Sequence, residues 1–258
     1  MSELQFLGAL HVELLRHREL GHDHPRHELF QTSTVGALLG GAFDGDVTLA
    51  ELIANGDLGL GTLDGLDGEL IVIDGVPWKA DVDAALSRPS LSSTTPYAVV
   101  VPFSAGEPVV LRGPFSSSDL EDRLSHRVDA ATRPTAIRID GRFETVHVRS
   151  VPKQTPPYPS LAQAITQQRV TELVDVSGSM VGFRFPDPLD GIEMVGAHLH
   201  FVTDDRARGG HVLSYTLTEA VAYLDDAEEL HVELPPAVDD PPHGTLVDDG
   251  AMRRLETD

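Results

Sequence analysis

Apolar positions along this chain follow two rhythms, one helical at the start and one alternating through most of the rest. Leu4, Leu7, Leu10, Leu14 and Leu15 recur at helical spacing, which predicts an amphipathic helix over roughly the first 20 residues. The RHRELGHDHPRH stretch that follows is histidine-rich and broken by Gly21 and Pro25, the composition of a linker. From Leu29 onward, short apolar runs alternate with turn signals. LFQTSTVGALLGGAFDG opens as a strand or a helix and closes in a Gly-Asp turn. VTLAELIANG reads as one short helix, capped by Thr48 and stopped at Asn55-Gly56. GELIVIDGVPWKA alternates on both sides of Asp74-Gly75, the pattern of a hairpin.

YAVVVPF, from Tyr97 to Phe103, reads as a buried strand, and Ser116 to Ala131 as a helix whose serines and Asp119 satisfy its first free N–H groups. TAIRIDG and RFETVHVRSV are expected to form two strands around an Asp-Gly turn, and PSLAQAITQQRVTEL a further helix. Strands follow at SMVGFRF, IEMVGAHLHFVT and GHVLSYTL, and the Pro- and Asp-rich end reads as an extended tail. The whole is a sheet-dominated α+β fold, with two mixed or antiparallel sheet-bearing halves meeting near Val151–Pro159. The expected divisions are an N-terminal helix and linker over 1–27, β-rich halves over 28–150 and 151–235, and a tail over 236–258. The second half carries the candidate site.

Charge narrows the partners. The chain has 258 residues, with 19 Lys+Arg against 41 Asp+Glu and a net charge of −22. A field of that sign repels phosphate backbones and anionic lipids, so neither nucleic acid nor a membrane is expected as a partner. A small substrate is a different matter, because one cationic side chain in a cleft outweighs a distant surface field. There is no cysteine, hence no disulfide, thiolate metal site or thiol nucleophile. The start does not read as a signal peptide and no apolar run approaches a bilayer-spanning length, so a cytoplasmic location is expected.

Candidate chemistry concentrates in GAHLHFVTDDRARGGHV, Gly196 to Val212. A strand puts residues i and i+2 on one face, so His198 and His200 project together. If the following turn centres on Asp205 and Arg206, His200 stands opposite His211, with Cβ atoms roughly 4.5–5.5 Å apart. Three converging imidazoles suit zinc and leave coordination positions open to a substrate, as catalytic sites do. The plainer account is a polar sheet face that happens to carry histidines. His22-Asp23-His24 repeats the H-x-H spacing, and there a solvated linker is the better reading.

Five ordered segments then resemble the α-acetolactate decarboxylases: LFQTSTVGALLGGAFDG, GTLDGLDGELIVIDG, VRSVPKQTPPYPSL, VGFRFP and GAHLHFVTDDRARGGHV, spanning about Leu29 to Leu217. The resemblance implies a zinc-dependent homodimeric lyase of acetoin biosynthesis that converts 2-acetolactate to (R)-acetoin and CO2 through a metal-bound enediolate. It implies Zn2+ on His198, His200 and His211, the trio that geometry singles out. The family's glutamate in the LDGE segment falls on Glu69, its arginine before VPKQ on Arg149, and its substrate-side threonine on Thr62. A glutamate of the C-terminal tail falls on Glu256. Arg149 would orient the departing carboxylate, while Glu69 would manage the hydroxyl proton or, with Arg149, protonate the enediolate. Without the resemblance, Arg149 is a salt-bridge partner on a strand and Glu69 a solvated acid beside a turn. Two departures stand out: Ala197 replaces the usual aromatic residue before HLH, and SGSMVGF replaces a threonine-containing turn.

Rival readings have weaker support. GLGTLDG lacks the Lys-Ser/Thr of a phosphate loop, LDGLDGE lacks EF-hand spacing, and GSMVG misses the nucleophile-elbow pattern. A cupin-like metal enzyme would supply a glutamate shortly after H-x-H, where this chain has Phe201-Val202-Thr203-Asp204-Asp205. A binding module with a structural zinc would need a fourth protein ligand to close the site.

Overall fold

The computed structural model describes residues 3–7, 10–16, 27–125 and 132–234, with side chains over 27–122 and 132–234. The alternating pattern builds two main sheets. The nine-stranded one runs, in spatial order, Glu3–Leu7, Leu10–Arg16, Glu229–Leu234, Glu28–Thr32, Tyr97–Val101, Leu58–Thr62, Glu69–Ile73, Val76–Ala80 and Leu86–Ser87. Neighbours are antiparallel except around Glu229–Leu234, which runs parallel to both strands it separates. The second sheet runs Val109–Ser116, Gly209–Asp226, Thr135–Ser150, Arg169–Phe185 and Gly196–Thr203. Gly196–Thr203 also pairs back onto Gly209–Asp226, which closes four of these strands into a ring. The sheet-dominated α+β expectation is met.

The central strands of the first sheet read as unbroken apolar runs because both faces are covered. On one face Leu60, Ile71 and Val99 meet Val181, Phe183 and Val202 of the second sheet, forming the main core. On the other, Leu70, Val72 and Val100 are covered by Leu49 and Leu52 of a short helix, Leu49–Ala54. That helix starts as its sequence predicts. The Thr48 side chain accepts from the Glu51 N–H, and the Glu51 carboxylate accepts from the Thr48 N–H at 2.9 Å. Such a capping box contributes about 1 kcal/mol. The Asp74-Gly75 hairpin and the buried strand from Tyr97 also form as expected.

Several expectations need correction. The N-terminal helix is instead the strand pair Glu3–Leu7 and Leu10–Arg16. Leu4 and Phe6, then Leu10, Val12 and Leu14, also alternate, and the partner strand Glu229–Leu234 favours the extended choice. Asp140-Gly141 is no turn: Thr135–Ser150 is one strand with an irregularity near Arg142. Glycine is required at 141 because a Cβ there would lie 2.4 Å from that of Ala220. The helix at Leu161 ends at Ile165, and RVTEL, rich in β-branched residues, opens the long strand Arg169–Phe185. Ser177–Met180 therefore lie within a strand rather than at a turn. The expected helix at Ser116 covers Ser117–Ser125. The second sheet is built from strands between Val109 and Asp226, so Thr135–Ser150 pairs within it, and Glu229–Leu234 returns to the first sheet. His22, His24 and Glu256 lie outside the described residues.

Candidate metal centre

The register of the second sheet brings the histidines together. His200 pairs directly with His211, and His211 pairs on its other side with Arg149. Directly paired residues share a face, and His198 joins them two positions along its strand. The turn that sets this register is tied by its own side chains. Thr203 Oγ1 accepts from the Arg208 N–H at 3.0 Å, and Asp205 Oδ1 accepts from the Ala207 N–H at 3.0 Å. All three imidazoles are buried, and one ligating nitrogen from each lies within 4.8 Å of the others.

The first sheet supplies a second row facing the first. Tyr97, Thr62 and Glu69 are paired laterally across three strands, on the same face as the core residues Val99, Leu60 and Ile71. One cavity between the sheets is lined by Thr62, Glu69, Arg149 and the three histidines, with an apolar wall of Leu38, Leu66, Val151, Leu161, Ile165 and Met194. Ala197 alternates away from the histidines and does not line this cavity.

A hydrogen bond joins the rows. His200 Nδ1 lies 2.8 Å from the Leu70 carbonyl, so the ring carries its proton there and keeps the Nε2 lone pair. That Nε2 and the Nδ1 of His198 are buried with no hydrogen-bond partner. Burial holds His198 and His211 well below the ordinary histidine range and pushes His200 down to about 3; the Arg149 charge adds to the effect in each case, while the Leu70 carbonyl opposes it at His200. These are neutral imidazoles near neutral pH. Orphaned buried nitrogens on neutral rings fit a divalent metal bound by three histidines, with positions left for a substrate.

The charged groups follow the same logic. Glu69 Oε2 lies 3.6 Å from His200 Nε2, and burial raises its carboxyl to about 7 against the lowering pull of Arg149. Arg149 donates from Nη1 to Gln168 Oε1 at 3.2 Å, and its Nη2 lies 3.2 Å from His211 Nε2. Thr62 Oγ1 donates to the Gly68 carbonyl at 2.9 Å, leaving its oxygen lone pairs as acceptors. The structure thus gathers Thr62, Glu69, Arg149 and the histidines in one place.

Sequence reasoning misses Tyr97, Glu193 and Gln168. Tyr97 looks like one more apolar strand position until its pairing with Thr62 is known, and Glu193 is one acid among 41. Glu193 is fully buried and accepts a short hydrogen bond from the Tyr97 hydroxyl. Burial raises its carboxyl to about 8, against the lowering effect of Tyr97 and the Met194 N–H. The folded state therefore holds this proton over the window from about 4.5 to 8, where the unfolded chain has released it. Stability from this group falls as pH rises through that window and levels off above it. Glu193→Gln should flatten the dependence of melting temperature on pH there, with the largest gain near the top of the window. An unchanged slope would show that Glu193 is ionised in the folded chain.

Known proteins bear on this geometry. The alpha-acetolactate decarboxylase family profile matches residues 29–240. The alpha-acetolactate decarboxylase of Methanosarcina mazei is 40% identical over 211 residues, which cover 82% of this chain and 73% of that protein. The enzyme of that name from Klebsiella aerogenes is 37% identical, with 82% of each chain covered. The crystal structure of alpha-acetolactate decarboxylase from Bacillus subtilis superposes with a TM-score of 0.84 at 29% identity, covering 90% of this chain and 100% of that one. Two facing sheets, a buried histidine trio at their seam and a match across most of the chain agree: this chain belongs to the alpha-acetolactate decarboxylases, a family of carboxy-lyases.

Proposed function

We propose that this protein decarboxylates 2-acetolactate to (R)-acetoin and CO2, with zinc held by His198, His200 and His211. The observation that carries the proposal is the set of three buried, neutral imidazoles sharing one cavity with Arg149 and Glu69. Zinc held by these three histidines would supply a Lewis acid for the electrons released on decarboxylation. The substrate is an anion, and its conversion to acetoin and CO2 consumes one proton.

This chain's residues then divide the work. Arg149 pairs its planar fork with the carboxylate and orients that bond for cleavage. Glu69, near 7, is present in both protonation states at neutral pH and can take or return the hydroxyl proton. Thr62 accepts a hydrogen bond from the substrate through the lone pairs its bond to Gly68 leaves available. The apolar wall receives the two methyl groups and limits water. The reading also takes a cytoplasmic location and a homodimer, and sedimentation at the 27.8 kDa of one chain would overturn the dimer.

The direct test is acetoin formation from racemic 2-acetolactate, before and after chelation and with zinc restored. Activity that is lost on chelation and returns with zinc is the expected result. A folded, zinc-loaded protein that makes no acetoin would overturn the proposal.

A further inference from the structure

Arg149 is buried and held at two points. Nη1 donates to Gln168 Oε1 at 3.2 Å, Nη2 meets His211 Nε2 at 3.2 Å, and Nε is buried with no partner. The two anchors differ in permanence. An imidazole nitrogen has one lone pair, so a metal that takes His211 Nε2 displaces the guanidinium from it. The contact with Gln168 does not involve that nitrogen.

The chain around Gln168 is built to hold it. The helix Leu161–Ile165 ends in a tight turn, where the Gln167 N–H donates to Ala164 O at 3.0 Å and the Gln168 N–H to Ile165 O at 2.8 Å. Leu161 and Ile165 of that helix line the cavity, so the Gln168 backbone is tied to the element that forms the pocket wall. Its half-buried position limits competition from water.

We propose that Gln168 is the positioning residue for Arg149: its side-chain carbonyl keeps the guanidinium beside the three histidines when a metal engages His211, leaving Nη2 and Nε–H to bind a carboxylate. The carboxylate's identity as part of 2-acetolactate rests on the function proposed above. The positioning itself does not, and it can be measured without turnover.

Two ligands separate the effects on the zinc-loaded protein. The first, 2-hydroxy-2-methylbutanoate, keeps the hydroxyl and carboxylate but lacks the ketone, so it cannot lose CO2 by this route. The second, 3-hydroxy-3-methylbutan-2-one, is the substrate with its carboxylate replaced by methyl. Calorimetry on Gln168→Met, which keeps side-chain length but removes the acceptor, should show the acid bound roughly tenfold more weakly, the weight of one charge-assisted hydrogen bond. The hydroxyketone should bind as it does to the parent, and zinc affinity in competition with a chromophoric chelator should not move. Gln168→Ala gives a second reading should the methionine variant fail to fold. Equal weakening of both ligands, or no change in either, would overturn the positioning role. If the acid alone weakens while the parent makes no acetoin, the function proposed above fails and the role of Gln168 stands.

Discussion

His200→Ala is expected to abolish zinc retention and acetoin formation together. This histidine stands at the centre of the site in three senses. It pairs across the hairpin with His211, shares a face with His198, and is aimed by a 2.8 Å bond to the Leu70 carbonyl of the opposite sheet. On the proposed site alanine removes one of the three imidazoles that would hold the metal, and it also takes the His200 donor from the Leu70 carbonyl. Turnover should fall by at least roughly 100-fold, the upper range for loss of a partner that merely supports a ligand. Metal analysis of the purified variant, circular dichroism to confirm folding and an acetoin assay form the test. Full activity with less than one zinc per chain would sink the metal assignment.

Arg149→Ala should do the opposite to the metal and nearly the same to the reaction. The guanidinium is no ligand, and its removal relieves a positive charge that lowers the proton affinity of all three histidines. Zinc should therefore stay. On the proposed mechanism the loss is of the cation that orients the substrate carboxylate, and kcat/KM should fall by roughly 10²–10³-fold, the scale for a preorganised charge-stabilising donor. Glu69 should titrate higher in the variant, because Arg149 is the group that holds it down. Arg149→Lys keeps a charge but not the fork and should recover only part of the loss. If Arg149→Ala instead sheds its zinc, the arginine serves to hold His211 in place.

The site was more legible than the strands that present it. His198, His200 and His211 could be placed together from H-x-H spacing and one assumed turn centre, because a hairpin register follows from local chain geometry. Glu69, Thr62 and Arg149 came from the family resemblance. Tyr97 and Gln168 carry no local signal, since Tyr97 meets Glu193 across 96 residues and Gln168 meets Arg149 across 19. The errors in the fold have similar causes. Leucines in the first 16 residues satisfy helical and alternating patterns alike, and their pairing with each other and with a strand more than 200 residues away decides between them. Asp140-Gly141 has turn composition, but the glycine answers to Ala220 on a neighbouring strand.

The placement of Glu229–Leu234 has a consequence for how the molecule is made. This strand lies between Leu10–Arg16 and Glu28–Thr32, parallel to both. Until it emerges from the ribosome, the first hairpin has no neighbour to join and the edge of Glu28–Thr32 is bare. The second sheet, formed from residues 109–226, contains only strands made before that point. Synthesis thus favours an order in which the histidine-bearing sheet assembles first and the nine-stranded sheet is completed last, across the longest sequence separation in the fold. A nascent chain halted short of Glu229 would carry every histidine of the site yet expose an unpaired strand edge, the kind of surface on which chains associate.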